Sequence, residues 1–277
     1  MNILSSEEKP LIPLGNHNRQ SSEKWLYVEI PSMDYLEAWN LQLAIVEAKR
    51  NDKGIQDILL LLEHPPVFTL GRRGARDHLM VSKDFLDEQG IPILHVERGG
   101  DITYHGPGQL VGYPIVDLRA NRCKAVDLVS GLEEVMIRTA MDWGIQAERD
   151  PLNRGVWVGQ AKLGSIGIAV RGGICFHGFA LNVNNSLRPF EWIHPCGLTG
   201  IQMTSMRKIL NAEIPMMSLW ETVKLHIQDV FRVELGTGNL HDIQALIRPE
   251  EQSHPLNKEL VKEINISSEL RVRRLFN

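Results

Sequence analysis

Two residues stand out for the chemistry they could do together. Cys196 lies in His194-Pro195-Cys196-Gly197, a loop bracketed by proline and glycine in which a thiol would be held in place yet accessible. Lys162 lies in GVWVGQAKLGSIGIAV (residues 155–170), among small and apolar residues that read as core strands. A reactive thiol needs its thiolate stabilised by a cation, a helix N-terminus or a general base. A lysine reaching Cys196 would favour the thiolate and then shuttle protons as an acyl-enzyme forms and breaks down. Such a pair suits acyl transfer. Each residue also has an inert reading. A lone cysteine often serves as a small core residue, and Lys162 fits a side chain snorkelling from a strand edge as well as a partly buried amine. Cys175 falls inside a strand-like stretch and Cys123 beside a turn.

A glycine-rich stretch, RGGDITYHGPGQLVGYPIVDL (residues 98–118), would have to frame any such pair. Gly99, Gly100, Gly106, Gly108 and Gly112 surround Asp101, Thr103, Tyr104, His105 and Gln109. Glycine lets backbone turn sharply or approach a ligand closely, so the stretch reads as a site-forming loop feeding a strand, or as a hairpin turn. It is not a nucleotide loop. In GPGQLVG the third glycine comes one position late for the dinucleotide fingerprint, and no Walker A or G-x-S-x-G motif is present. Arg72, Arg73 and Arg76 surround Gly74, and arginine donors with exposed loop amides would make an anion site; a solvated surface loop is the alternative. His64, His105, His177 and His194 all sit beside glycine or proline near the candidate site. They lack tight ligand spacing beyond His194-x-Cys196, so no metal and no cofactor is expected.

The chain has 277 residues, 43% hydrophobic and 23% charged, as in ordinary soluble domains. A formal charge of -4 gives no electrostatic argument for nucleic acid or an anionic membrane. Three cysteines make no disulfide framework and favour a reducing compartment. The longest aliphatic run, residues 58–62, is too short to span a bilayer, and the N-terminus lacks a signal peptide's pattern; a cytoplasmic location is expected.

Periodicity predicts strands at 25–30, 57–64, 91–97 and from the glycine loop to 118, a short strand running into a basic turn over 67–74, then a run of strands over 155–183 turning at Arg171-Gly172-Gly173. Helices are expected from the Asp34 cap to about Arg50, over 83–90, 125–143 and 218–231, with a loop at 190–200. Clustered strands with a few helices, without strict alternation, indicate an α+β fold. The expected organisation is a flexible arm over 1–24, a catalytic domain over 25–232 and a C-terminal extension over 233–277.

Four stretches in this order resemble the octanoyltransferases of lipoate biosynthesis, the lipoyl(octanoyl) transferases. They are LEHPPVFTLGRRG (62–74), the glycine-rich stretch with Arg98, Gly99, Gly100, Thr103, His105, Pro107, Gly108, Gln109 and Tyr113 in place, GVWVGQAKLGSIG (155–167), and HGFALNVNNSL through PCG (177–197). Gly164 departs from the alanine that the family's lysine block leads one to expect. The resemblance implies the fold of biotin and lipoate protein ligases: a mixed, largely antiparallel sheet flanked by helices. It implies transfer of an octanoyl group from acyl-carrier protein to a lysine of lipoyl domains, those of 2-oxoacid dehydrogenases and the glycine cleavage H protein. It makes Cys196 the acyl-accepting nucleophile and Lys162 its acid/base partner. The substrate pocket would draw on Arg98, Gly99, Gly100, Asp101, Thr103, Tyr104, His105 and Gly106. Ser165, Ile166 and Gly167 would follow the lysine, with His177, Gly178 and Ala180 from the next strand; Arg72, Arg73 and Arg76 would dock the partner. An ATP-dependent ligase of the same fold and a non-catalytic carrier-binding protein are the rivals. A thioester donor is already activated, which agrees with the missing nucleotide motifs.

Overall fold

The segment Asp57–Leu62 (β2) has the sequence DILLLL and every residue is buried, because it lies between two separate cores. Ile58, Leu60 and Leu62 face one core, and Leu59 and Leu61 face the other. That is the two-residue period of a strand covered on both sides. The computed structural model describes residues 23–74, 78–193 and 201–247.

β2 belongs to a nine-stranded sheet with β1 (Glu23–Ile30), β6 (Gln109–Asp117), β7 (Glu148–Arg149), β8 (Val156–Val158), β9 (Ala161–Arg171), β10 (Ile174–Asn182), β11 (Gln202–Met203) and β12 (Val233–Gly238). The order runs β12-β1-β2-β6-β10-β9-β8-β7, with β11 beside β9. Pairing is antiparallel from β2 through to β7, and parallel for β1 with β2 and β12 and for β11 with β9. A second sheet places β3 (Val67–Leu70) between β4 (Ile93–His95) and β5 (Ile102–His105).

Helices cover both faces of the large sheet. α3 (Ala125–Asp142) and α5 (Met216–Phe231) pack Leu128, Leu132, Val135, Leu219 and Val223 onto one face. α1 (Tyr35–Asn51) and α6 (Leu240–Ile247) set Ala38, Ile45, Val46 and Ile243 against the other. Asp34 starts α1 by accepting from the amides of Leu36 and Glu37 at 2.8 and 3.3 Å, a side-chain N-cap. α2 (Lys83–Glu88) lies by the small sheet and α4 (Met206–Leu210) precedes α5. Gly172 and Gly173, both at positive φ, make the tight β9–β10 hairpin.

The fold is α+β with a mixed, largely antiparallel sheet flanked by helices. Three details differ from the sequence reading. A four-residue strand, β5, forms within the glycine stretch, because Val67–Leu70 supplies an antiparallel partner. The strand expected over 91–97 shortens to Ile93–His95, where the pairing with β3 ends. β12 extends the sheet past residue 232 by pairing with β1, and α6 packs on α1; VELGTG carries two glycines, which hides it from a pattern search. Among the described residues no helix is long and apolar enough to cross a membrane.

Candidate active site

The glycine stretch is held by one buried side chain. Arg98, 7% exposed, donates from Nη2 to the Thr69 carbonyl (2.6 Å), Thr69 Oγ1 (2.8 Å) and the Asp101 carbonyl (2.7 Å), and from Nη1 to the Gly99 carbonyl (3.0 Å). A planar guanidinium with fixed donors suits this pinning of several oxygens at once. The turn after β3 zips onto the same stretch: the amides of Gly71, Arg72 and Arg73 donate to the carbonyls of Asp101, Arg98 and Gly100 at 3.0–3.1 Å. Only glycine fits at Gly71, whose added Cβ would stand 2.6 Å from the Gly100 carbonyl oxygen. These amides, with that of Gly74 bonded to the Gly71 carbonyl, are therefore not open to an anion. The exposed side chains of Arg72 and Arg73 are what the turn presents, and Arg76 lies outside the described residues.

Between this stretch and the large sheet opens a narrow cleft with a cavity volume of about 60 Å³. Thr103 and His105 of β5 line the cleft and Ile102 borders it from the small-sheet core, while Tyr104 packs into that core with Phe68 and Phe190. Tyr104, expected at the pocket from the resemblance, is thus turned away from it by strand alternation, and Gly106 does not line it either. Arg98, Gly99, Gly100 and Asp101 do line it, and so do Ser165, Ile166, Gly167, His177, Gly178 and Ala180 from β9 and β10. Tyr35, Val111, Tyr113, Phe179 and Met203 complete the walls. Tyr35 carried no sequence signal, since α1 brings it there only through the topology.

Burial holds three histidines at or behind the cleft below the usual histidine range. His64 Nδ1 meets the Met33 carbonyl and Nε2 the Tyr113 hydroxyl, both at 2.7 Å. The carbonyl only accepts, so Nδ1 carries the proton and Tyr113 donates to Nε2. Burial pushes His64 down to about 4. His105 donates from Nδ1 to Gln109 Oε1 at 2.8 Å, while Gln109 Nε2 donates to the Tyr104 carbonyl and Asn182 Oδ1. Burial, then the nearby His64 and Arg98, hold His105 well below the usual histidine range. His177, opposite Pro114 where the β6–β10 ladder is interrupted, sits at φ 56° and gives its amide to Gln42 Oε1 at 2.8 Å. Proline has no amide to offer there. Burial lowers His177 too.

These shifts give a pH dependence. Unfolded, His64 titrates near 6.5, so as pH falls the unfolded chain binds the proton first and stability is lost between about 6.5 and 4. His64 alone accounts for about 3 kcal/mol over that window. The urea midpoint should fall across it, and His64→Gln should show a shallower slope; equal slopes would contradict the assignment.

Lys162 is 4% exposed, inside the sheet rather than at an edge. Its Nζ lies 5.2 Å from the centre of the Trp157 ring. Met203 pairs with Lys162 in the β11–β9 register, and the Thr204 amide donates to the Lys162 carbonyl at 2.9 Å. The Thr204 carbonyl in turn accepts from Asn182 Nδ2 at 3.0 Å, so hydrogen bonds run from His105 through Gln109 and Asn182 to the backbone at Lys162. Cys196 and His194 lie outside the described residues. Burial raises the thiols of Cys175 and Cys123, the latter to about 12, so neither is primed as a nucleophile. Among the described residues no group of three or more His, Cys, Asp or Glu is placed to hold a metal ion.

Residues 34–228 match the family model of the lipoyl protein ligase A/B catalytic domain. The chain belongs to that family. Curated octanoyltransferases are similar over most of their length. That of Desulfotalea psychrophila is 42% identical over 219 residues, 78% of this chain and 98% of the relative. That of Caldicellulosiruptor bescii is 46% identical over 216 residues, 76% and 94% of the two chains. Within the family, the chain is an acyltransferase of the lipoyl(octanoyl) transferase type, acting in lipoate biosynthesis. Among solved structures, a lipoate-protein ligase A bound with ATP has a TM-score of 0.65 at 16% identity, covering 84% of this chain and 95% of the other. A bipartite lipoate protein ligase from Thermoplasma acidophilum has a TM-score of 0.61 at 17% identity, covering 86% and 98%. These two likenesses concern the fold.

Proposed function

We propose that this octanoyltransferase takes its acyl group from the phosphopantetheine thioester of acyl-carrier protein. It holds the group on Cys196 and delivers it to a lysine of a lipoyl domain, such as those of 2-oxoacid dehydrogenases or the H protein. The Cys196 thiolate attacks the thioester carbonyl, the tetrahedral intermediate collapses, and the carrier thiol leaves with a proton from the Lys162 ammonium. The lipoyl-domain amine then attacks the acyl-enzyme, neutral Lys162 accepts a proton from it, and the thiolate departs. The first exchange is near isoenergetic; the amide product drives the second. Donors aimed at the oxyanion would contribute about 3 kcal/mol each.

The observation that carries this reading is a buried Lys162 in the wall of a cleft, beside the strand to which the chain returns six residues after Cys196. The turn carrying Arg72 and Arg73 is hydrogen-bonded to the glycine stretch, and with Arg76 following in sequence it offers cationic side chains to an acidic carrier. Mixed with octanoyl-loaded carrier protein and no nucleotide, the enzyme should gain one octanoyl group and pass it to a lipoyl domain added afterwards. A strict requirement for ATP would favour ligase chemistry instead.

A further inference from the structure

A turn over residues 150–155 bears on two of the surfaces around Lys162, one directly through Gly155 and one through the hydrogen bond that holds Trp157. Gly155, at φ 115°, lies against its stem: a Cβ there would stand 2.8 Å from Lys162 Cε and 2.4 Å from the Gly164 carbonyl oxygen. Trp157, whose ring faces the ammonium, donates from Nε1 to the Asn153 carbonyl at 3.3 Å. Asp150 rigidifies the turn by accepting from the amides of Leu152 and Asn153 at 2.9 and 2.7 Å.

The turn is fastened to α3 through Glu133, while Glu134 and the Ser130 carbonyl hold Arg149 just before it at 2.6 and 3.1 Å. Glu133, 1% exposed, accepts the Gly155 amide at 3.0 Å and pairs with Arg154 at 3.2 Å and Arg149 at 3.4 Å. Charged residues are seldom buried unless paired, and a buried carboxylate spent on a glycine amide must hold something in place. We propose that Glu133 is a positioning residue for octanoyl transfer, fixing the Arg154–Gly155 backbone so that Lys162 keeps its place in the cleft. The inference rests on the acid/base role proposed for Lys162. Glu133 itself touches no substrate; it acts through the turn.

The test compares steady-state octanoyl transfer by full-length Glu133→Gln, Glu133→Asp and Glu133→Ala, each also built in a Lys162→Met background. Glutamine keeps the reach to the Gly155 amide and loses the charge; aspartate keeps the charge and loses the reach. Aspartate and alanine should each lower kcat about tenfold with KM for the octanoyl donor unchanged within twofold, and glutamine should restore most of the rate. In the Lys162→Met background the aspartate substitution should cost nothing further. Aspartate as fast as glutamine, or a cost that persists without Lys162, would overturn the proposal. If alanine does not fold, the aspartate–glutamine pair still decides. A Lys162→Met enzyme as fast as wild type is a separate outcome: it removes the acid/base role and the inference with it.

Discussion

Replacing Lys162 with methionine is expected to lower octanoyl transfer by a factor of about 10²–10⁴, the usual worth of a positioned acid/base group. Methionine is chosen because the lysine stem rests on Gly155 beneath the Trp157 ring, so an apolar chain of similar length keeps that packing. The loss should therefore fall on kcat, with the unfolding midpoint close to wild type. The hydrogen bonds at the Lys162 backbone, to the Thr204 amide and through β9, do not depend on the side chain. Steady-state rates and urea titrations on the same preparations separate the two effects. A variant within a few-fold of wild-type rate would show that protons move by another route.

The second large effect is one of stability. Arg98→Lys should destabilise the fold by about 3 to 5 kcal/mol, because one ammonium cannot replace a guanidinium that serves Thr69 and Asp101 oxygens from Nη2 and Gly99 from Nη1. Buried carbonyls left without donors carry that cost. For a fold of this size the thermal midpoint should drop by about 10 °C. Activity should fall with it, since Arg98 joins β3, the Arg72–Arg73 turn and the cleft wall into one unit. A lysine variant within 1 kcal/mol of wild type by urea unfolding would show that the backbone zipper alone holds the stretch.

Much of this architecture was legible in the sequence where local pattern and tertiary environment agree. DILLLL reads as a doubly covered strand and is one; Asp34 reads as a cap and accepts two amides. The Arg171-Gly172-Gly173 turn is the β9–β10 hairpin. What escaped notice depends on distant partners. β5 is four residues flanked by glycines and exists because β3 pairs with it from far upstream. β12 is poor in strand-forming residues and gains its place from β1. At the site, the apolar surroundings of Lys162 left a snorkelling and a buried side chain both open, and its interior strand decides for burial. Nothing near Arg98 in sequence announced that two of its acceptor atoms would be 29 residues away on Thr69, or that the amides of the basic turn would be spent on the glycine stretch. Tyr104 shows the same limit at single-residue scale, since family resemblance names a position and strand alternation decides where it points.

The covalent step is the centre of the proposal, and intact-mass spectrometry reads it directly. Wild-type enzyme mixed with octanoyl-loaded carrier protein, without nucleotide and without a lipoyl domain, should gain the mass of one octanoyl group. Hydroxylamine should remove it, as expected for a thioester, and peptide mapping should locate it on Cys196. The Cys196→Ala variant should gain nothing under the same conditions. An octanoyl adduct that persists in Cys196→Ala, or transfer to a lipoyl domain at wild-type rate by that variant, would contradict acyl transfer through Cys196.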